Sequence, residues 1–91
     1  GLWVNEKQRR RGLARHLSLK AIQFAEMEAY KVVKLWVTET NQPACLLYAS
    51  LGFNPTGRLR AVSHDPFVHL QQYALQLNRV QSAPEADLAA V

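Results

Sequence analysis

The sequence holds a single cysteine, Cys45, which excludes an internal disulfide framework and a cysteine-cluster zinc site. One unpaired thiol fits a reducing compartment, and the expected setting is cytoplasmic. Long apolar runs are missing too. No stretch approaches the roughly 18 residues that a membrane-spanning helix needs, and no secretory signal pattern is read at the start. Acidic residues are scarce, 7 against 11 Lys and Arg, for a net charge of +4 and a pI near 9.6. That balance favours an anionic partner: a nucleotide or phosphorylated cofactor, nucleic acid or a membrane surface. Repeats and low-complexity segments are absent apart from an alanine-rich end.

What is present suits one small globular domain: 91 residues, 48% hydrophobic and 20% charged. Gly1-Leu2-Trp3-Val4 reads as the end of a strand with no initiator methionine before it. The chain is therefore expected to be the C-terminal part of something longer. Asn5 to Gln8 is a polar loop. From about Arg11 to Tyr30 the pattern is helical, with Leu13, Leu17, Ala21, Phe24 and Ala25 recurring at three- and four-residue steps as the expected inward face. Val32 to Thr38 is β-branched, aromatic and nearly apolar, as a strand buried on both faces would be. After a loop, Pro43 suits the first turn of a short helix over Ala44 to Leu51, which Gly52 ends in a left-handed conformation while Phe53 folds back. Asn54 to Gly57 reads as a turn, Arg58 to Val62 as a strand, Ser63 to Pro66 as a turn, and Phe67 to Leu77 as a strand weakened by Gln71 and Gln72. Residues 79–91 read as a tail with a helical tendency near Ala86. The order is α/β: strand end, long helix, strand, short helix, two strands.

Charge is concentrated where the first loop meets the long helix. Lys7, Arg9, Arg10, Arg11 and Arg15 fall within nine residues, interleaved with Gly12, Leu13 and Ala14. A helix start presents unbonded N–H groups and partial positive charge. Small residues there let a phosphate approach the backbone, and arginines add charge. The segment Arg9 to Arg15 is expected to cradle a pyrophosphate as a loop of successive N–H groups. The alternative is a solvated surface run. A strand feeding this loop places it at the carboxyl end of the sheet, where open α/β sheets bind ligands.

Two segments in order carry a resemblance. Arg9-x-x-Gly12-x-Ala14 directly follows the strand end Leu2-Trp3-Val4. Leu35 to Asn41 then leads into Ala44 to Tyr48 and on to Gly52-Phe53. Together they resemble the C-terminal half of a GNAT-type N-acetyltransferase, over roughly Leu2 to Leu77. The resemblance implies a GNAT-like mixed sheet, acetyl-CoA as co-substrate without a metal, and an amine acceptor. It implies that residues 1–78 form the C-terminal portion of an acetyltransferase domain. It also implies roles. Leu2, Trp3 and Val4 would pair through their backbone with the pantetheine arm, and an N–H there could polarise the thioester carbonyl. Arg9 to Arg15 would bind the phosphates. Asn41 would contact pantetheine, unless it only caps the short helix. Tyr48 would give its proton to the departing thiolate, a task suited to a phenol of pKa about 10. Its alternative is a core tyrosine, since Ala44, Tyr48 and Leu51 share one helix face.

Other chemistry-bearing residues read as structural. Glu39 either orders a water that deprotonates the amine or is a solvated loop carboxylate. Cys45 reads as a packed small residue, and His16, His64 and His69 as structural or surface groups in no metal-site spacing. Upstream strands that build the acceptor site in the resembling enzymes are not in this sequence. A partner could supply them by dimerisation or strand exchange, so a homodimer is one expected state. Two other functions stay open: a non-catalytic CoA-binding module, and a nucleic-acid-binding domain built on the basic cluster. Against the last, Glu26 and Glu28 share the long helix, and no aromatics interleave with the arginines as a stacking platform would need. Neither a membrane nor nucleic acid is the expected partner.

Overall fold

A computed structural model describes residues 6–62 and 64–88, with side chains in the first helix for Arg10 and from Gly12 onward. Its elements in chain order are α1 (Glu6–Met27), β1 (Val32–Thr38), α2 (Gln42–Ser50), β2 (Asn54–Val62), β3 (Asp65–Gln76) and β4 (Glu85–Asp87). The four strands form one mixed sheet in the order β2-β3-β1-β4. The β2–β3 and β1–β3 pairs are antiparallel and β1–β4 is parallel. The expected α/β architecture is therefore present. The strand end at Leu2-Trp3-Val4 and the loop residue Asn5 lie outside the described residues.

β1 is the centre of the molecule because its sequence leaves it no other place. Val33, Leu35 and Val37 alternate onto one face and are fully buried. Removing side chains of this size from water contributes about 1.5–3 kcal/mol each. They pack with Ile22 and Ala25 of α1, Tyr48 of α2, Phe53 and Tyr73 of β3 in one cluster, so both helices cover the same sheet face. The opposite side of β1, with Lys34, Trp36 and Thr38, is only half covered, which corrects the expectation of burial on both faces. There the Arg60 guanidinium stacks over the Trp36 ring at 4.3 Å, an arrangement favoured by the ring quadrupole.

α2 has the ends its sequence prescribes. The Asn41 carboxamide oxygen accepts from the Ala44 N–H at 3.3 Å, and proline occupies the first turn. At the other end Gly52 takes a φ of +98°, its N–H donates to the Ala49 carbonyl, and the Phe53 N–H donates to the Tyr48 carbonyl. This double closure satisfies two carbonyls that the last turn leaves open. It also brings the Phe53 ring edge-on to Tyr48, 5.6 Å between centroids.

Three further expectations are corrected. The turn at Asn54–Gly57 belongs to β2, where Gly57 (φ +90°) sits in a register shift between Pro55 and Leu59. A bulge absorbs the bend that the composition signalled as a turn. The inward face of α1 is Ile22 and Ala25, while Leu13, Leu17 and Phe24 are each more than half exposed. Helical spacing defines a stripe, but among the described residues nothing lies over that side. The helical tendency near Ala86 gives way to β4. The edge of β1 offers unpaired backbone groups, and there the Leu88 N–H donates to the Lys34 carbonyl and the Lys31 N–H to the Pro84 carbonyl, both at 2.8 Å. Ala86 and Leu88 turn inward onto the core.

Candidate functional site

The basic motif is helical, not a loop. α1 starts at Glu6, so the N–H groups from Arg10 to Arg15 are engaged with carbonyls four residues earlier. The segment Arg9 to Arg15, expected as a loop, is therefore helix throughout. Leu2, Trp3 and Val4 and the side chains of Arg9 and Arg11 lie outside the described residues. Arg10 and Leu13 are exposed and Ala14 is half-buried. Arg15 reaches across to α2, where its guanidinium Nη1 donates to the Ser50 hydroxyl at 3.1 Å. With Leu46, Leu47 and Ser50 it lines a shallow recess of about 390 Å³.

Gly12 is informative for what does not surround it. A Cβ built there meets nothing within 4 Å, and the residue is exposed. A glycine inside a helix costs about 1 kcal/mol relative to alanine. Among the described residues no packing demands that sacrifice, and the space beside Gly12 is open.

Asn41, Cys45 and Tyr48 lie four and three residues apart and share one face of α2. The Tyr48 ring is buried at 5% exposure. Its hydroxyl forms no hydrogen bond among the described residues, yet no buried side-chain nitrogen or oxygen there lacks a partner. The hydroxyl is thus held by no acceptor among the described residues, while the Phe53 ring packs edge-on against the Tyr48 ring. A phenol held this way can deliver a proton to a group outside the core.

Below the start of α2 runs a row of polar groups that sequence reasoning did not assemble. The Gln71 carboxamide donates to the Cys45 sulfur at 3.5 Å. Tyr73 is hydrogen-bonded to Cys45 as well, and burial first, then this thiol, push its phenol above the usual tyrosine value. At the carboxyl end of β1, Glu39 Oε1 accepts from the His69 backbone N–H at 3.2 Å and lies 3.6 Å from the imidazole Nδ1. The Glu39 N–H in turn donates to the His69 carbonyl at 2.9 Å. Only the antiparallel register, with Thr38 opposite Leu70, reveals this pairing. No local signal in either segment could have shown it. His16 and His64 are exposed on α1 and near the β2–β3 turn. Among the described residues no cluster of three or more His, Cys, Asp or Glu could hold a metal ion.

The chain is 39% identical over 56 residues to N-acetyltransferase family 8 member 3 of Rattus norvegicus, an alignment covering 62% of this chain and 25% of the relative. The chain thus spans about a quarter of the length of the curated relative it matches. No solved structure gives a significant match. The sequence pattern of the acetyltransferase (GNAT) family matches residues 1–53. That stretch is more than half of the chain, and it contains both Gly12 of α1 and Tyr48 of α2. The chain belongs to the GNAT acetyltransferase family.

Proposed function

We propose that this chain forms the acetyl-CoA-binding and proton-donating part of an N-acetyltransferase that acts by direct attack of an amine on the thioester. The amine nitrogen bonds to the acetyl carbon, the carbon–sulfur bond breaks, the coenzyme A thiolate takes the proton of Tyr48, and the proton lost from the nitrogen restores the phenol through water. The observation that carries the chemical step is the Tyr48 side chain: a buried ring packed on Phe53 whose hydroxyl has no hydrogen-bond partner among the described residues, so that its proton is uncommitted. Gly12 supports the cofactor part, because the space beside it is open, with nothing within 4 Å of a Cβ built there, in a segment rich in arginine. Leu2 to Val4, Arg9 to Arg15 and Asn41 are the proposed cofactor contacts, and the setting is cytoplasmic.

A second reading rests on the burial of Tyr48. Its edge-on contact with Phe53 would also suit a tyrosine kept for packing, in a module that binds coenzyme A without turnover. Calorimetric titration with acetyl-CoA, followed by steady-state kinetics, separates the two. Gly12→Glu places a carboxylate in the open space and is expected to abolish binding while the helical circular dichroism persists. Tyr48→Phe keeps the ring contact, so affinity is expected to hold while kcat falls about 100-fold or more. An unchanged kcat in that variant would remove Tyr48 from the mechanism and favour the binding module.

A further inference from the structure

An amine acceptor with an ordinary alkylammonium pKa arrives protonated near neutral pH, and it cannot attack until that proton leaves. Tyr48 supplies a proton to the thiolate and so is the wrong partner for this step. Among the described residues, His69 stands in a row of polar groups that leads to the α2 face of Tyr48. His69 lies on β3 on the same side as Gln71 and Tyr73, two strand positions apart each. Through Gln71 and Cys45 this row meets the α2 face that carries Asn41 and Tyr48. At its end, beside the carboxyl terminus of β1, the imidazole Nδ1 faces the Glu39 carboxylate at 3.6 Å. Nε2 has no hydrogen-bond partner among the described residues. Both side chains are a little over one-third exposed, 38% for His69 and 37% for Glu39. The ring is therefore partly in contact with solvent.

We infer that His69 is the proton acceptor for the incoming amine and that Glu39 is its positioning residue, holding the ring through Nδ1 so that Nε2 faces the acceptor. This rests on the acetyl-transfer reading given above. An N–H bond of the ammonium breaks and an Nε2–H bond forms. The freed lone pair then attacks the thioester carbon, the carbon–sulfur bond breaks and the thiolate takes the Tyr48 proton. The second proton of the now amide nitrogen passes through water to the Tyr48 phenolate, and the imidazolium returns its proton to water. Glu39 suits the role because two backbone contacts with His69 fix it: it accepts at Oε1 and donates from its own N–H.

The other ionisable groups around the ring are accounted for. Cys45 and Tyr73 face the same row from α2 and β3. His64 and Asp65, at the β2–β3 turn, line the opposite sheet face with Thr38 and Leu70, where Arg60 stacks on Trp36. The first turn of α2 carries no acidic residue.

The test is kcat/KM against pH for the full chain, with acetyl-CoA and a panel of simple alkylamines and lysine amide. For His69→Gln, kcat/KM is expected to drop about 100-fold with the acid-side fall of the profile gone. Added imidazole should recover part of the rate, and acetyl-CoA affinity by titration should not change. Glu39→Gln is expected to lower kcat/KM without changing that affinity, and Glu39→Asp to recover part of the loss. A His69→Gln profile that overlays the wild type overturns the inference and leaves the acetyl-transfer reading standing. Binding of acetyl-CoA with no transfer to any amine of the panel overturns the inference and the catalytic part of that reading. A folded wild-type chain that does not bind acetyl-CoA removes both.

Discussion

Ala29 takes a φ of +59°, the one positive value outside glycine among the described residues. It ends α1 as Gly52 ends α2. The Ala29 N–H donates to the Glu26 carbonyl and the Tyr30 N–H to the Ala25 carbonyl, the same double closure seen at Ala49 and Tyr48. A Cβ in this conformation costs about 1 kcal/mol, and Ala29 is exposed, so replacing it loses little packing. Ala29→Gly is expected to stabilise the chain by up to about 1 kcal/mol, a rise in Tm of roughly 4–8 °C at this size. Gly52→Ala should do the reverse and by more. Besides the φ of +98°, its Cβ would lie 3.3 Å from Leu75 Cδ1. Thermal unfolding followed by circular dichroism checks both; a destabilised Ala29→Gly would mean that unfolded-state entropy outweighs the strain.

At the scale of elements, β4 is where structure and composition part company. Glu85-Ala86-Asp87 offers one inward apolar residue and no β-branched run, yet it closes the edge of β1 with the Lys31–Pro84 and Lys34–Leu88 backbone bonds. Ending the chain after Asn78 removes those bonds and uncovers the core contacts of Ala86 and Leu88. The expected loss is on the order of 2 kcal/mol by urea denaturation. Glu85→Gln, which removes only the exposed 3.1 Å ion pair to Lys34, is expected to cost less than about 1 kcal/mol. Equal stability of the shortened chain would make residues 79–88 the simple tail their composition suggested. The elements that were legible carry local signals: a β-branched run for β1, and Asn41, Pro43 and Gly52 around α2. Gln71 and Gln72 seemed to weaken β3 because their partners are distant. The Cys45 sulfur accepts from Gln71, and the Thr56 hydroxyl donates to buried Gln72 at 2.9 Å. The motif residues Gly12, Asn41 and Tyr48 could be picked out in the sequence for the same local reason. The contact of Glu39 with His69, 30 residues apart, depends on register and could not.

The molecule as a whole is a flat plate, 46 × 38 × 17 Å, with a radius of gyration of 14.5 Å. A compact chain of this length would have about 12 Å. Both helices lie on one face of the sheet, the other face is only half covered, and the sheet is one layer deep. Such a shape buries little apolar surface for its size. Leu13, Leu17 and Phe24 leave an apolar stripe along α1 at 57–59% exposure, and Phe67 is 89% exposed. Contiguous apolar surface of this kind favours association in water, while a net charge of +4 opposes it only weakly once salt is present. The isolated chain is therefore expected to self-associate in a concentration-dependent way by sedimentation velocity. Leu17→Lys with Phe24→Lys should shift it toward monomer. Because both side chains are already more than half exposed, the double variant should lose little folded-state packing and keep its Tm within a few degrees. Monomeric sedimentation of the unaltered chain at every concentration would show that the stripe drives no association. A double variant that unfolds would instead place Leu17 and Phe24 in a contact essential to the fold.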